Sequence, residues 1–213
     1  MATGLRERKK QQTRELIADT ARRLFSERGF EQVSVAEIAR VADVSEKTVF
    51  NYFPTKEDLV YWRLESFETE LLDTIRSRAV GESVLEAFGR FAREPRGMLG
   101  KYDPETQERL AAVSRMIASS PALLAREQQI FTGYTASLAA LVAEETGAAP
   151  DDVEPWVAAN AIMGVHRRLV DFARARVVAG VRHATLAREV LAQADAALAL
   201  LERGLGSYAV KEP

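Results

Sequence analysis

Apolar and polar residues recur with a helical period along nearly the whole chain. Between Arg8 and Arg28, Ile17, Ala21, Leu24 and Phe25 return at three- and four-residue steps, which places them on one face of a single helix. Gly29 follows at the position of a C-terminal cap, and Phe30 and Val33 can fold back on that face. A shorter pattern begins at Ser34, which has capping-box spacing to Glu37, with Ile38, Ala39 and Ala42 sharing a face. Ser45 then stands as the cap of a further helix through Thr48, Val49 and Phe50 to Phe53. Val49, Phe50 and Phe53 are expected in the core. Helices this short do not bury themselves, so the first helix is expected to cover them.

Pro54 breaks the chain, and the TKED stretch from Thr55 opens a longer helix with a stripe of Val60, Leu64, Phe67, Leu71 and Ile75, ending near Gly81. We read it as a connector. Ser83 to about Arg93 carries Val84, Leu85, Phe88 and Phe91, and the EPRGMLGKYD stretch reads as a loop. Asp103-Pro104 and Ser120-Pro121 each open a helix with proline in the first turn, where its missing donor costs nothing. Asp151 with Glu154 is expected to cap a helix past Trp156, Val165 and Phe172 to Gly180, and a last helix runs from about His183 to Arg203 with its apolar stripe reaching Leu205. With no alternating β-branched run and no hairpin signal, the pattern predicts an all-α chain of about nine helices. The implied division is an N-terminal three-helix unit over 8–54, a connector over 55–80 and a C-terminal helical domain over 81–207.

The chain has 213 residues, 47% of them apolar, enough to build a core. No stretch approaches the roughly 20 apolar residues that span a bilayer. The start, MATGLRERKK, does not read as a signal peptide, and the absence of cysteine suits a cytoplasmic protein. Charge is uneven: residues 1–56 hold 11 Lys/Arg against 8 Asp/Glu, while the remainder holds 18 against 23. That asymmetry fits one end meeting phosphate. Two histidines and no cysteine leave no zinc site or thiol nucleophile, and no Gly-rich phosphate loop occurs, so no enzyme and no cofactor is expected.

Three linked motifs resemble the TetR family of bacterial transcriptional regulators: a first helix ending LFSERGF, then SVAEIARVADVS, then TVFNYFPTKEDL. The resemblance covers roughly Arg14 to Trp62, with the helix-turn-helix over 34–53, and the remainder follows only the family's general plan. One departure is Asp43, where the family's turn usually has glycine; Asp tolerates the left-handed conformation better than most residues. The resemblance implies a ligand-responsive repressor that binds a palindromic operator in double-stranded DNA as a homodimer, paired through the last two helices at about 152–178 and 183–205. It also implies a small, largely apolar effector that moves the connector, and the lack of a spanning apolar stretch leaves no membrane role to expect.

In a helix-turn-helix the second helix presents its N-terminal residues to base edges. Here those are Ser45, Glu46, Lys47 and Thr48, with Asn51 one turn on. Glu46 serves equally as a cytosine acceptor or as a solvated helix-start carboxylate. The family positions place Tyr52 and Lys56 as phosphate clamps, with Ser34 and Val35 beside the backbone; for Thr13 a plain exposed helix position is favoured. The effector candidates are Phe67, Phe88, Phe91, Met116, Tyr134, Met163, His166 and Arg167, although aromatic and Met residues at helical spacing form core more often than pocket. Two other functions fit parts of the chain. One is a non-specific architectural DNA-binding protein. The other is a helical metal-dependent lyase holding Mg²⁺ at Asp151 and Asp152, against which capping is the better account of those carboxylates.

Overall fold

A computed structural model describes residues 2–62, 65–94, 100, 103–205 and 210. Among them are ten helices and no strand: α1 Ala2–Arg28, α2 Val35–Val41, α3 Glu46–Tyr52, α4 Asp58–Tyr61, α5 Glu65–Arg76, α6 Val84–Arg93, α7 Pro104–Ser119, α8 Pro121–Thr146, α9 Glu154–Val178 and α10 His183–Leu205. The all-α expectation holds. The connector is described as α4 and α5, with Leu64 of its stripe outside the described residues. It stops at Arg76 rather than Gly81 because the buried Arg78 guanidinium donates to the carbonyls of Ile75 and Glu82 and pairs with Glu145. Most of the expected EPRGMLGKYD loop and the side chain of Leu205 also lie outside the described residues.

Proline and its preceding cap open α7 and α8 as the sequence predicts. Asp103 accepts from the Thr106 amide at 2.7 Å, and Ser120 Oγ accepts from the Leu123 amide at 3.4 Å. At α9 the cap differs from expectation. Asp152, not Asp151, accepts the Glu154 amide at 2.9 Å, since two residues is the reach of a short Asp side chain to its own backbone.

The chain forms two compact units. The first contains 1–65 and 116–127, so the junction of α7 and α8 folds with the N-terminal helices. Its core joins Ile17, Ala21, Leu24 and Phe25 of α1 to Phe30, Val33, Ile38, Val49, Phe53 and Leu59. The second contains 66–115 and 128–213. Its main core brings Leu71 and Ile75 of α5 against Phe88 and Phe91 of α6, Leu138 of α8 and Ile162 of α9, and a smaller cluster joins Ala173 and Val177 to Leu186 and Val190.

Candidate nucleic-acid interface

The α2–turn–α3 motif is built from two serine caps and one strained residue. Ser34 Oγ accepts from the Glu37 amide at 3.1 Å, but the Glu37 carboxylate pairs with Arg28 of α1 instead of closing the box. The cap thus also ties α2 to the helix that covers it. Asp43 has φ 53°, the one described non-glycine residue in the left-handed region. Ser45 Oγ then accepts from the Thr48 amide at 3.1 Å and shares a hydrogen bond with the Thr48 hydroxyl at 2.8 Å, which starts α3.

Helix α3 divides cleanly by face at 100° per residue. Val49 and Phe53, four residues apart, are 1% exposed and hold the helix down. Lys47 and Asn51 lie opposite that pair, Glu46 and Phe50 stand beside it, and all four are exposed, while Thr48 and Tyr52 are half-buried. Phe50 is 46% exposed, which corrects its expected place in the core. It lies a quarter turn from Val49, and a helix of seven residues has cover on one side only. Ser45 is exposed, but its hydroxyl is spent on capping.

The flanking candidates separate by geometry. Ser34 is exposed and Val35 half-buried at the start of α2. Lys56 precedes α4, and its Nζ sits 4.1 Å from the Phe30 ring centroid and 5.9 Å from that of Phe25. Burial there lowers its pKa, partly offset by Glu31 and Glu57. Thr13 turns its hydroxyl to the Lys9 carbonyl at 3.0 Å, as an ordinary helix position would.

Within this unit the segment 116–127 makes polar contacts with the helices and turn that precede it. Tyr61 donates to the Leu123 carbonyl at 3.0 Å, Arg126 donates to Asp58 at 2.8 Å, and Ser120 donates to Glu31 at 2.7 Å. Nothing in local periodicity signals these pairs, which are 62 to 89 residues apart.

Most of the effector candidates meet in the second unit. Phe67 stacks on His166 at 4.3 Å and 25°, and lies 5.3 Å from Phe91 and 5.5 Å from Tyr134. Phe88, Phe91, Tyr134 and Met163 are buried in the same core. Burial lowers the His166 pKa to about 4, so its ring is neutral near pH 7. Arg167 is exposed, and Met116 belongs to the first unit. A separate cavity of about 190 Å³ lies between α6 and α10, lined by Leu85, Gly89, Arg93, Asp195, Leu198 and their neighbours. None of the effector candidates lines it.

A capped two-helix motif with an exposed polar face, held by a covering helix, defines a helix-turn-helix protein. The family profile for bacterial regulatory proteins of the tetR family matches residues 17–61, and that of the MftR C-terminal domain matches residues 78–206. The chain therefore belongs to the TetR family and is a DNA-binding transcriptional regulator, not an enzyme. It is 28% identical over 151 residues to the transcriptional regulator TcmR of Streptomyces glaucescens, covering 70% of this chain and 67% of that protein. It is also 28% identical over 161 residues to the mycofactocin biosynthesis transcriptional regulator MftR of Mycobacterium tuberculosis, covering 74% and 78%. Among solved structures, SmeT in complex with triclosan aligns over 88% of this chain and 90% of its own, with TM-score 0.50 and 17% identity, a likeness of fold. Among the described residues no helix is long and apolar enough to cross a membrane.

Proposed function

We propose that this regulator is a ligand-responsive repressor acting in the cytoplasm, bound as a homodimer to a palindromic operator. The observation that carries the DNA reading is the exposed face of α3, where Glu46, Lys47, Phe50 and Asn51 stand together with no cover. Lys47 donates to guanine O6 or N7, Asn51 pairs with adenine, and Glu46 accepts from cytosine or remains solvated. Tyr52, Lys56, Ser34 and Val35 lie against the sugar–phosphate backbone and set the register. Two copies pair through α9 and α10, so their two α3 helices match half-sites about one turn of DNA apart, roughly 34–36 Å.

The effector is a small, largely apolar molecule taken at the aromatic cluster of the second unit, where Phe67 and neutral His166 are only part-buried at the core's rim. Its signal travels by the chain crossings at 65–66, 115–116 and 127–128, and the grip of Tyr61, Asp58 and Glu31 on 116–127 delivers it to α1 through α4. The effector shifts the equilibrium only by its differential affinity for the two states.

Selection of a random-sequence duplex pool by the purified protein tests the reading. Enrichment of a palindrome is expected, and Lys47→Ala should then change base preference at one position per half-site by about 1–3 kcal/mol. Equal affinity for all duplexes would instead favour the architectural protein.

A further inference from the structure

The turn after α1 builds a ring surface under one cation. Gly29 donates its amide to the Phe25 carbonyl at 2.8 Å, and its φ of 82° is a conformation that glycine adopts without strain. An added Cβ at Gly29 would meet nothing, so conformation and not space asks for glycine. The turn folds Phe30 back on Phe25, with ring centroids 5.1 Å apart and planes at 56°, and both side chains are 4% exposed. Over the Phe30 ring stands the Lys56 Nζ, 4.1 Å from the centroid, with the Phe25 centroid at 5.9 Å. Both distances fall within cation–π reach.

A lysine that only snorkels lays its stem on apolar surface and keeps its charge in water. Here the ammonium itself rests against the rings, and burial lowers its pKa. Glu31 and Glu57 are near enough to oppose that shift, yet among the described residues neither forms an ion pair with Lys56. Glu31 accepts instead from the Ser120 hydroxyl at 2.7 Å. A ring face holds a charge without neutralising it, so the N–H groups turned away from the ring remain for a phosphate oxygen. The long lysine stem has much rotamer freedom to lose on binding, and a contact that fixes it beforehand removes part of that cost.

We propose that Phe30 is the positioning residue for the phosphate contact of Lys56: its ring face fixes the ammonium in place and leaves it unneutralised until DNA arrives. Phe30 itself touches no DNA. This role rests on the reading of Lys56 as a phosphate clamp.

The first test needs no DNA. By proton NMR the ε-CH₂ of Lys56, assigned by its loss in Lys56→Gln, should lie upfield of those of Lys9 and Lys47 in the wild type. Phe30→Leu should return it to their range, and Phe30→Tyr, which keeps a ring, should not. The second test uses the duplex that the wild type selects from a random pool. Lys56→Gln should make the salt slope shallower by about 0.9 for each copy bound, about 1.8 for a dimer. Phe30→Leu should weaken binding about fivefold for each copy, near twenty-fivefold for a dimer, while Phe30→Tyr holds wild-type affinity. In the Lys56→Gln background Phe30→Leu should cost nothing more. A general loss of packing would weaken both backgrounds alike and so cancels in that comparison. If Lys56→Gln flattens the slope, yet Phe30→Leu weakens both backgrounds equally or the wild-type ε-CH₂ shows no ring shift, the positioning role is refuted and the phosphate reading stands. The wild-type shift decides this even should Phe30→Leu not fold. If Lys56→Gln keeps the wild-type slope, the phosphate reading of Lys56 falls and takes the role of Phe30 with it.

Discussion

Phe50 leaves nearly half of its surface in water on a helix of seven residues. Burying such a side chain is worth about 1.5–3 kcal/mol, so its place on the reading face asks for an apolar contact from outside the chain. The apolar feature of a major groove is the thymine C5 methyl. Phe50 is therefore expected to read a thymine between the positions set by Lys47 and Asn51. Replacing single thymines of a selected operator by deoxyuridine removes that methyl and leaves pairing intact. One substitution per half-site removes two methyls and should weaken the wild-type dimer about fifteenfold, at roughly 0.8 kcal/mol per methyl, and should not weaken Phe50→Ala further. Identical effects on both proteins would remove Phe50 from the reading set. The sequence misleads here because Val49, Phe50 and Phe53 are all apolar, and only the direction of cover decides which of them faces inward. Asp43 was legible in full: a turn position that wants glycine, filled by a residue able to adopt φ 53°.

Elements were readable where apolar period and caps agree. Helices α6, α7 and α8 start where a serine or aspartate cap stands, with proline behind the cap in the latter two. The start of α1 was not, since residues 6–15 offer no apolar period to reveal a helix. The end of α5 depends on Arg78 reaching Glu145, 67 residues away. Helix α9 holds the group with a sharp pH consequence, His166. Its folded pKa of about 4 lies below the ordinary 6.5. As pH falls, the unfolded chain takes the proton first, so this stability is present above pH 6.5 and is lost toward pH 4. The loss between pH 7 and pH 5 amounts to about 2 kcal/mol. His166→Phe keeps a ring against Phe67 and has no proton to bind. Urea unfolding at the two pH values should therefore show the wild type losing about 2 kcal/mol more than the variant. An equal loss would mean that His166 is not held neutral by burial.

For the whole molecule, the surface of α9 and α10 is what one copy leaves unfinished. Val153, Trp156 and Val157 at the start of α9 are 68%, 60% and 51% exposed, and Leu200 near the end of α10 is 64% exposed. Helices α9 and α10 pack on each other and are joined by residues 179–182, so these two ends lie side by side. Gly164 continues the exposed stripe of α9 and sits where an added Cβ would meet nothing. A glycine there costs helix stability of roughly 0.5–1 kcal/mol with no internal reason, but it lets a second helix approach closely. In the proposed homodimer a second copy supplies that helix, and in a two-fold interface every substitution enters twice. Trp156→Ala removes an aromatic anchor of the kind whose loss costs about 2 kcal/mol or more in each copy, so about 4 kcal/mol in all and nearly a thousandfold in the dimer dissociation constant. Sedimentation at micromolar concentration should find a dimer for the wild type and a shift toward monomer for Trp156→Ala, more complete with Leu200→Glu added. The same variants should lose operator affinity more steeply on a full palindrome than on a half-site, since only the palindrome rewards two linked α3 helices. A wild type that sediments as monomer and binds both duplexes equally would break the two-fold account while leaving the chemistry of α3 untouched.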